Sequence, residues 1–108
     1  MKTREDVTDF CLTLGEVYAD KPFREDNWTV IRHKSNNKVF AWIFERQGNI
    51  WVNVKCKPEW CDFWRKAFEG VVPAYHLNKT HWNSIILDGT VPEEECKNMI
   101  EESYALTK

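Results

Sequence analysis

The chain has 108 residues, of which 43% are hydrophobic, 30% charged and 14% aromatic, which suits one globular domain over residues 1–108 and excludes a disordered chain. Its formal net charge of −2 excludes the overall basic excess that is usual in nucleic-acid binders, so such a role would need a local basic patch. No apolar run reaches the length of a signal-peptide core or a membrane span, so we expect a cytoplasmic protein with no membrane partner.

The first predicted element is a helix that begins after Thr3, where Asp6 completes the pattern of a capping box. Apolar residues then recur at helical spacing, at Val7, Phe10, Cys11, Leu14, Val17 and Tyr18. The helix is predicted to end at Asp20–Pro22, because the residue before a proline is pushed out of the helical region.

Three strands are predicted next, over Trp28–His33, Lys38–Phe44 and Ile50–Cys56. The first two are separated by Ser35–Asn37, whose asparagines tolerate left-handed backbone angles. The second and third are separated by Arg46–Asn49, which contains a glycine. Short turns between strands predict an antiparallel meander.

A second helix is predicted from Pro58, which suits a first helical turn. Its broad aromatic face consists of Trp60, Phe63, Trp64 and Phe68. A further strand at Trp82–Leu87, a turn at Asp88-Gly89 and a last helix opened by Pro92 complete the chain. The fold class is therefore α+β, an antiparallel sheet flanked by helices in the order α-βββ-α-β(β)-α.

Four cysteines are present, and none of them forms a C-x-x-C pair. Cys11 and Cys96 lie on apolar helical stripes, while Cys56 and Cys61 have a four-residue gap that is a weak metal pattern. In the absence of a secretory signal, we expect reduced and mostly buried thiols in preference to a zinc site.

The segment Tyr75–Asn83 is the most unusual stretch of the sequence. It reads Tyr-His-Leu-Asn-Lys-Thr-His-Trp-Asn, with two histidines, two asparagines, one lysine and two large aromatic residues. Cores are not built from such residues, and a loop that needs only solubility does not need Trp and Tyr. The segment therefore indicates either a binding surface or an irregular loop with its own internal hydrogen bonds.

The same segment resembles the MmcQ/YjbR family pattern of a proline followed by Tyr-His-(Leu/Met)-Asn-Lys-x-His-Trp-Asn, an apolar strand, an Asp-Gly turn and a proline-led helix. The chain matches this pattern at Pro73, Tyr75–Asn83, Asp88-Gly89 and Pro92. Earlier matching landmarks are Pro22-Phe23, Lys38–Ala41, Asn53–Cys56 and Pro58-Glu59. The resemblance covers nearly the whole chain.

The resemblance implies a fold similar to CyaY/frataxin and the family's label of a "double-wing" DNA-binding protein. Two residues depart from the pattern. Thr80 stands where family members often have a basic residue, and Lys57 stands where they often have Asp, which would cap the second helix better.

Residues that would serve a nucleic-acid or ligand interface come from the first turn between strands and from the Tyr75–Asn83 segment. They are Arg32, Lys34, Lys38, Tyr75, His76, Asn78, Lys79, His81, Trp82 and Asn83. Cations with aromatic rings suit stacked bases and phosphates, and amides suit base edges.

Three other interpretations of these residues stay open. The cations are also explained as solvated turn residues balanced by neighbouring acids, an interpretation that the net acidity favours. The segment is also suited to a protein or a small ligand. Asn78 and Asn83 are suited to satisfying loop backbone groups, and Trp82 to packing against the aromatic face of the second helix.

Metal binding and catalysis are the least supported functions. His76, His81 and Asp88 lack convincing ligand spacing, and no nucleophile motif, phosphate loop or cofactor motif accompanies them. We therefore expect a monomeric, non-enzymatic binding domain without a metal or cofactor.

Overall fold

The computed structural model describes residues 1–108, which form three helices and one six-stranded sheet. The helices are α1 (Arg4–Leu12), α2 (Pro58–Ala67) and α3 (Glu93–Leu106). The strands are β1 (Val17–Asp20), β2 (Thr29–His33), β3 (Val39–Arg46), β4 (Asn49–Lys55), β5 (Val71–Pro73) and β6 (Trp82–Ile86). Every neighbouring pair is antiparallel, in the order β1-β2-β3-β4-β6-β5. The predicted α+β class is confirmed.

The sheet has two different faces because side chains alternate along each strand. One face packs against α1 and α3, and its central row runs across the strands as Ile43, Val52 and Ile85. The opposite face carries the intervening side chains, including Trp42 and Phe44. Helix α2 packs mainly against β5 and β6 at the edge of the sheet, so no helix covers the middle of this second face.

Helix α1 begins as predicted and ends earlier than predicted. The capping box of Thr3 and Asp6 is present, but the helix stops at Leu12. Gly15 then has φ +154°, and a Cβ there would collide with the Tyr104 hydroxyl. The predicted continuation of the helix through Tyr18 is wrong, because those residues form β1 at the sheet edge. A four-residue strand is too short to show its own alternation.

The predicted meander is confirmed as β2, β3 and β4, with strand ends shifted by one or two residues. The β3–β4 hairpin turns at Gln47 and Gly48, which have φ of +54° and +81° between the paired residues Arg46 and Asn49. Two successive positive φ angles in a two-residue loop match the right-handed twist of the strands.

The inward side of helix α3 carries the buried residues Cys96, Met99, Ile100 and Ser103. Ser103 also bridges strands, since its hydroxyl donates to the Phe40 carbonyl and accepts from the Lys55 amide. None of the three helices combines the length and the hydropathy needed to cross a membrane.

The prediction of four reduced thiols is wrong for one pair. Cys56 and Cys61 form a disulfide whose Cα atoms are 5.5 Å apart, and both side chains are buried. The pair spans the junction between β4 and α2, where the chain turns back enough to bring the two Cβ atoms together. Cys11 and Cys96 are free and buried, and burial raises the pKa of these thiols to about 12 and about 11.

Candidate functional site

The Tyr75–Asn83 segment begins on the second face of the sheet, where two buried polar side chains fix it. The Asn53 amide donates to the Tyr75 carbonyl at 2.8 Å, and the Tyr75 amide donates to the Ser84 hydroxyl at 3.0 Å. The Ser84 hydroxyl in turn donates to Asn53 Oδ1. Asn53 and Ser84 are fully buried and neighbours across β4 and β6, so they hold both backbone groups of Tyr75.

The Tyr75 ring packs into the aromatic surface of the sheet. It stacks on Phe44 at a centroid distance of 5.6 Å and meets Trp51 edge-on at 6.4 Å. The Arg46 guanidinium lies over both Trp51 and Tyr75, at 4.9 and 4.5 Å from their centroids. These contacts make Tyr75 an anchor of the segment in place of the stacking platform expected from the sequence.

His76 follows with a left-handed backbone, at φ +66°, which is uncommon for a residue that is not glycine. Its exposed ring lies 4.0 Å from the Tyr75 ring and 6.3 Å from the Trp28 ring. The fixed Tyr75 backbone and this turn together place His76 and Leu77 beside an open groove.

The groove has a volume of about 690 Å³. Its lining residues are Phe23, Arg24, Glu25, Trp28, Trp42, His76 and Leu77. The Phe23 and Trp42 rings are nearly parallel at 6.5 Å, and Trp28 is edge-on to both at 6.3 Å. The Trp42 indole N–H is buried and has no acceptor in the chain. The groove therefore offers flat apolar walls, with a cation and an anion among its lining residues.

The side chains in the middle of the segment form hydrogen bonds within the segment's own loop. Asn78 Oδ1 accepts hydrogen bonds from the amides of Thr80 and His81, at 2.8 and 3.3 Å. The Lys79 ammonium donates to the Ala74 carbonyl at 2.8 Å. Asn78 thus closes a turn through its side chain, and Lys79 uses one of its donors within the loop.

The end of the segment is fixed by α2. Asn83 is fully buried, accepts from Arg65 Nε at 2.6 Å and donates to the Cys61 carbonyl at 3.1 Å. Arg65 also donates to the carbonyls of Lys79 and Trp82. The prediction that Asn83 reads a ligand is therefore wrong, because its amide is consumed inside the fold.

Trp82 and His81 differ from expectation in smaller ways. Trp82 is half-buried, and it belongs to none of the aromatic ring pairs formed by α2, so the predicted packing against Trp60 and Trp64 is not found. His81 has an exposed side chain, while its carbonyl accepts from the Cys56 amide at 2.9 Å.

The basic residues near the β2–β3 turn are only partly free. Arg32 donates to Asp20 at 3.0 Å and to the Asn37 carbonyl at 2.9 Å. Lys34 lies 3.8 Å from Glu16, and Lys38 is exposed. These residues share an end of the sheet with β6, but three strand spacings, roughly 14 Å, separate β2 from β6. The structure therefore does not join them and the Tyr75–Asn83 segment into one patch.

Asp88, weighed above with the histidines, closes the turn after β6. It accepts from the Thr90 hydroxyl at 2.7 Å and from the Thr90 amide at 3.0 Å. These hydrogen bonds lower the pKa of the Asp88 carboxyl. Its contacts are those of a turn residue.

Sequence reasoning missed most of the groove. The missed lining residues are Phe23, Arg24, Glu25, Trp28, Trp42 and Leu77. The nearly continuous apolar pattern of Lys38–Phe44 is typical of a strand covered on both faces, whereas Trp42 lies beside an open groove. One feature of the sequence could have indicated the groove. Two tryptophans, Trp28 and Trp42, lie on neighbouring predicted strands, and a single layer of helices covers only one face of a sheet.

Comparison with known proteins agrees with this architecture. The family model described as YjbR matches residues 12–106. The uncharacterized protein YyaQ of Bacillus subtilis is 37% identical over an alignment covering all of both chains. The uncharacterized protein YjbR of Escherichia coli is 30% identical, over 94% of this chain and 84% of its own.

Solved structures give the same answer. Deinococcus radiodurans protein DR2400, a DUF419 domain, superposes with a TM-score of 0.88 at 32% identity, over 98% of this chain and 78% of that one. A Pseudomonas syringae protein superposes with a TM-score of 0.87 at 27% identity, over 98% and 99% of the two chains. The chain therefore belongs to the YjbR family.

Proposed function

We propose that this YjbR-family domain is a non-enzymatic, cytoplasmic binding module whose ligand site is the groove between Trp28, Trp42 and the His76-Leu77 rim. The observation that carries the proposal is an open groove of about 690 Å³ whose aromatic walls are Phe23, Trp28 and Trp42. Binding sites for small organic ligands are concave, mostly apolar and of this size. Phe23, which is 47% exposed, would gain burial when a ligand fills the groove.

The lining predicts the chemistry of the ligand. Flat rings at the walls favour a planar apolar group, since aromatic contacts are offset-stacked or edge-on. Arg24 in the lining favours a hydrogen-bond acceptor beside that planar group, because a guanidinium carries only donors. An aromatic amide or an aromatic side chain of a peptide meets both requirements.

Benzamide is a suitable probe because it combines one flat ring with one carbonyl acceptor. We expect saturable, roughly millimolar binding, as is usual for a ligand of so few atoms. Phe23→Ala should weaken it several-fold, because it removes one wall of the groove. Phe63→Ala is the matched control, since Phe63 is similarly exposed at 52% but lies on α2. Equal loss in both variants, or no saturation, would contradict the groove as the site.

Nucleic acid is the second candidate, favoured by Arg24 beside the Phe23 and Trp28 rings, an arrangement suited to stacked bases. Lys34 and Lys38 would then contact the backbone. The hydrogen bonds that Arg32 and Lys79 make within the chain argue against nucleic-acid binding.

An oligonucleotide of twelve thymidines tests the second candidate. If bases stack in the groove, its affinity should fall steeply with added salt and fall further in Lys34→Ala/Lys38→Ala. Benzamide should also compete with it. If benzamide binds and the oligonucleotide does not bind even at low salt, the nucleic-acid candidate is excluded and the small-ligand proposal is retained.

A further inference from the structure

The outward side of α2 is the most exposed aromatic surface of the chain outside the groove. Phe63 is 52% exposed and Trp60 is 43% exposed, and their rings lie 5.2 Å apart in an edge-on pair. The opposite side of the helix carries buried Cys61 and the hydrogen-bonded Arg65. At 100° per residue, the direction facing away from Cys61 is that of Phe63, so Phe63 is the centre of the exposed side.

Two pairs of residues flank Phe63 at seven-residue spacing. Glu59 and Lys66 stand on one flank, and Trp60 and Ala67 stand on the other. Seven residues are close to two helical turns, so the members of each pair lie one above the other. The two ends of the first flank therefore carry opposite charges. The two ends of the second flank carry a large side chain and a small one.

We propose that this α2 face, defined by Glu59, Trp60, Phe63, Lys66 and Ala67, binds the same face of a second copy in an antiparallel two-fold pair. A two-fold axis at Phe63 exchanges the two ends of the helix. Glu59 of each copy then faces Lys66 of the other. The large Trp60 ring lies against the small Ala67, and the two Phe63 rings meet at the axis.

The charges on this face are available for a partner. No ion pair within the chain uses Glu59 or Lys66, although both are exposed. A parallel two-fold pair would place each charged flank against the partner's Trp60–Ala67 flank, whereas the antiparallel pair joins opposite charges at both ends. Charge complementarity thus selects the second copy and its direction.

The face predicts a weak dimer, in place of the monomer expected from the sequence. The helix that carries this face is ten residues long, from Pro58 to Ala67, and the apolar centre of the face consists of two side chains. A standard interface buries about 800 Å² per partner, which this helix face alone does not reach. The dimer is consequently expected to form at roughly micromolar or higher concentration.

Sedimentation velocity over a concentration series tests the pairing by charge exchange. Glu59→Lys and Lys66→Glu should each weaken the dimer roughly tenfold, because each places like charges opposite one another at both ends. The double variant Glu59→Lys/Lys66→Glu should restore wild-type association, since the opposite pairs are re-formed. Both positions are exposed, so unchanged circular dichroism and melting temperature provide the folding control.

Three results would overturn the inference. They are a wild-type chain that stays monomeric at millimolar concentration, single variants that associate like the wild type, and a double variant that fails to recover. Phe63→Ala gives an independent measurement, since it removes the centre of the face and should abolish association without changing benzamide binding. The groove and the dimer can therefore fail separately.

Discussion

Asn53 shows how a single buried residue positions the candidate site. Its side chain joins the Tyr75 carbonyl to Ser84, so Asn53→Ala leaves a buried carbonyl and a buried hydroxyl short of partners. We expect a loss of about 2–4 kcal/mol in the free energy of unfolding, measured by urea denaturation. Asn98→Ala, at an exposed position of α3, should change stability by less than about 0.5 kcal/mol. A similarly small loss for Asn53→Ala would refute the anchoring role.

His33 gives the chain a pH-dependent stability. It is buried, with Nε2 2.8 Å from the Thr107 hydroxyl, and it packs against Phe40 and Tyr104. Burial lowers the pKa of His33, opposed by a backbone hydrogen bond with Tyr104 and aided by the charge of Lys108. The unfolded state therefore binds a proton at higher pH than the folded state, so this contribution to stability is present above the unfolded pKa and is lost as pH falls through it.

The melting temperature should accordingly drop between roughly pH 7 and pH 5. His33→Gln removes the titrating ring and should flatten this drop. His81→Gln, at an exposed ring, should retain the wild-type slope. An unchanged slope in His33→Gln would assign the pH dependence to other groups.

At the scale of elements, α2 is locked to the sheet by the Cys56–Cys61 disulfide and by Arg65. Alkylation with iodoacetamide, read by mass, counts the thiols in each state. We expect no labelled cysteine in the folded oxidised chain, two after unfolding without reductant, and four after unfolding with reductant. Burial protects Cys11 and Cys96 and raises the pKa of both thiols, which slows their reaction further. Four labelled cysteines after unfolding without reductant would show that the pair is reduced.

The elements that sequence reasoning placed well are those with a local cause. The Thr3–Asp6 cap, the glycine turn of the β3–β4 hairpin and the apolar stripe of α3 each depend on residues close in sequence. β1 was missed because its pairing with β2 is tertiary, and Val17 and Tyr18 happen to continue the helical spacing of α1. The disulfide was missed because a four-residue gap does not reveal whether the chain turns back between the two cysteines.

The same distinction explains the site. The sequence marked the Tyr75–Asn83 segment as unusual and matched its family, but composition alone does not separate anchors from exposed groups. Asn83 looks like a recognition residue and is buried, and Tyr75 looks like one and is half-buried against Phe44 and Trp51, while Trp42 looks like core and lines the groove. This difference depends on the tertiary fold, which brings Trp28, Trp42 and His76 together around one groove.

At the scale of the whole molecule, the two faces of the sheet have different roles. Helices α1 and α3 cover one face of the sheet and supply the core, while the other face carries the aromatic surface that the Tyr75–Asn83 segment partly covers. The groove is what this partial cover leaves open. The proposed binding function rests on this asymmetry of the fold, in which α2 lies at the edge of the sheet and holds the end of the segment.

The six tryptophans provide the most direct test of the groove, since each has one indole N–H signal in an ¹⁵N–¹H correlation spectrum. On titration with benzamide, the signals of Trp28 and Trp42 should move, because both rings line the groove. Those of Trp60 and Trp64, on α2, should stay in place. Shifts confined to Trp60 and Trp64, or no shift in any of the six signals at millimolar benzamide, would contradict the groove as the binding site.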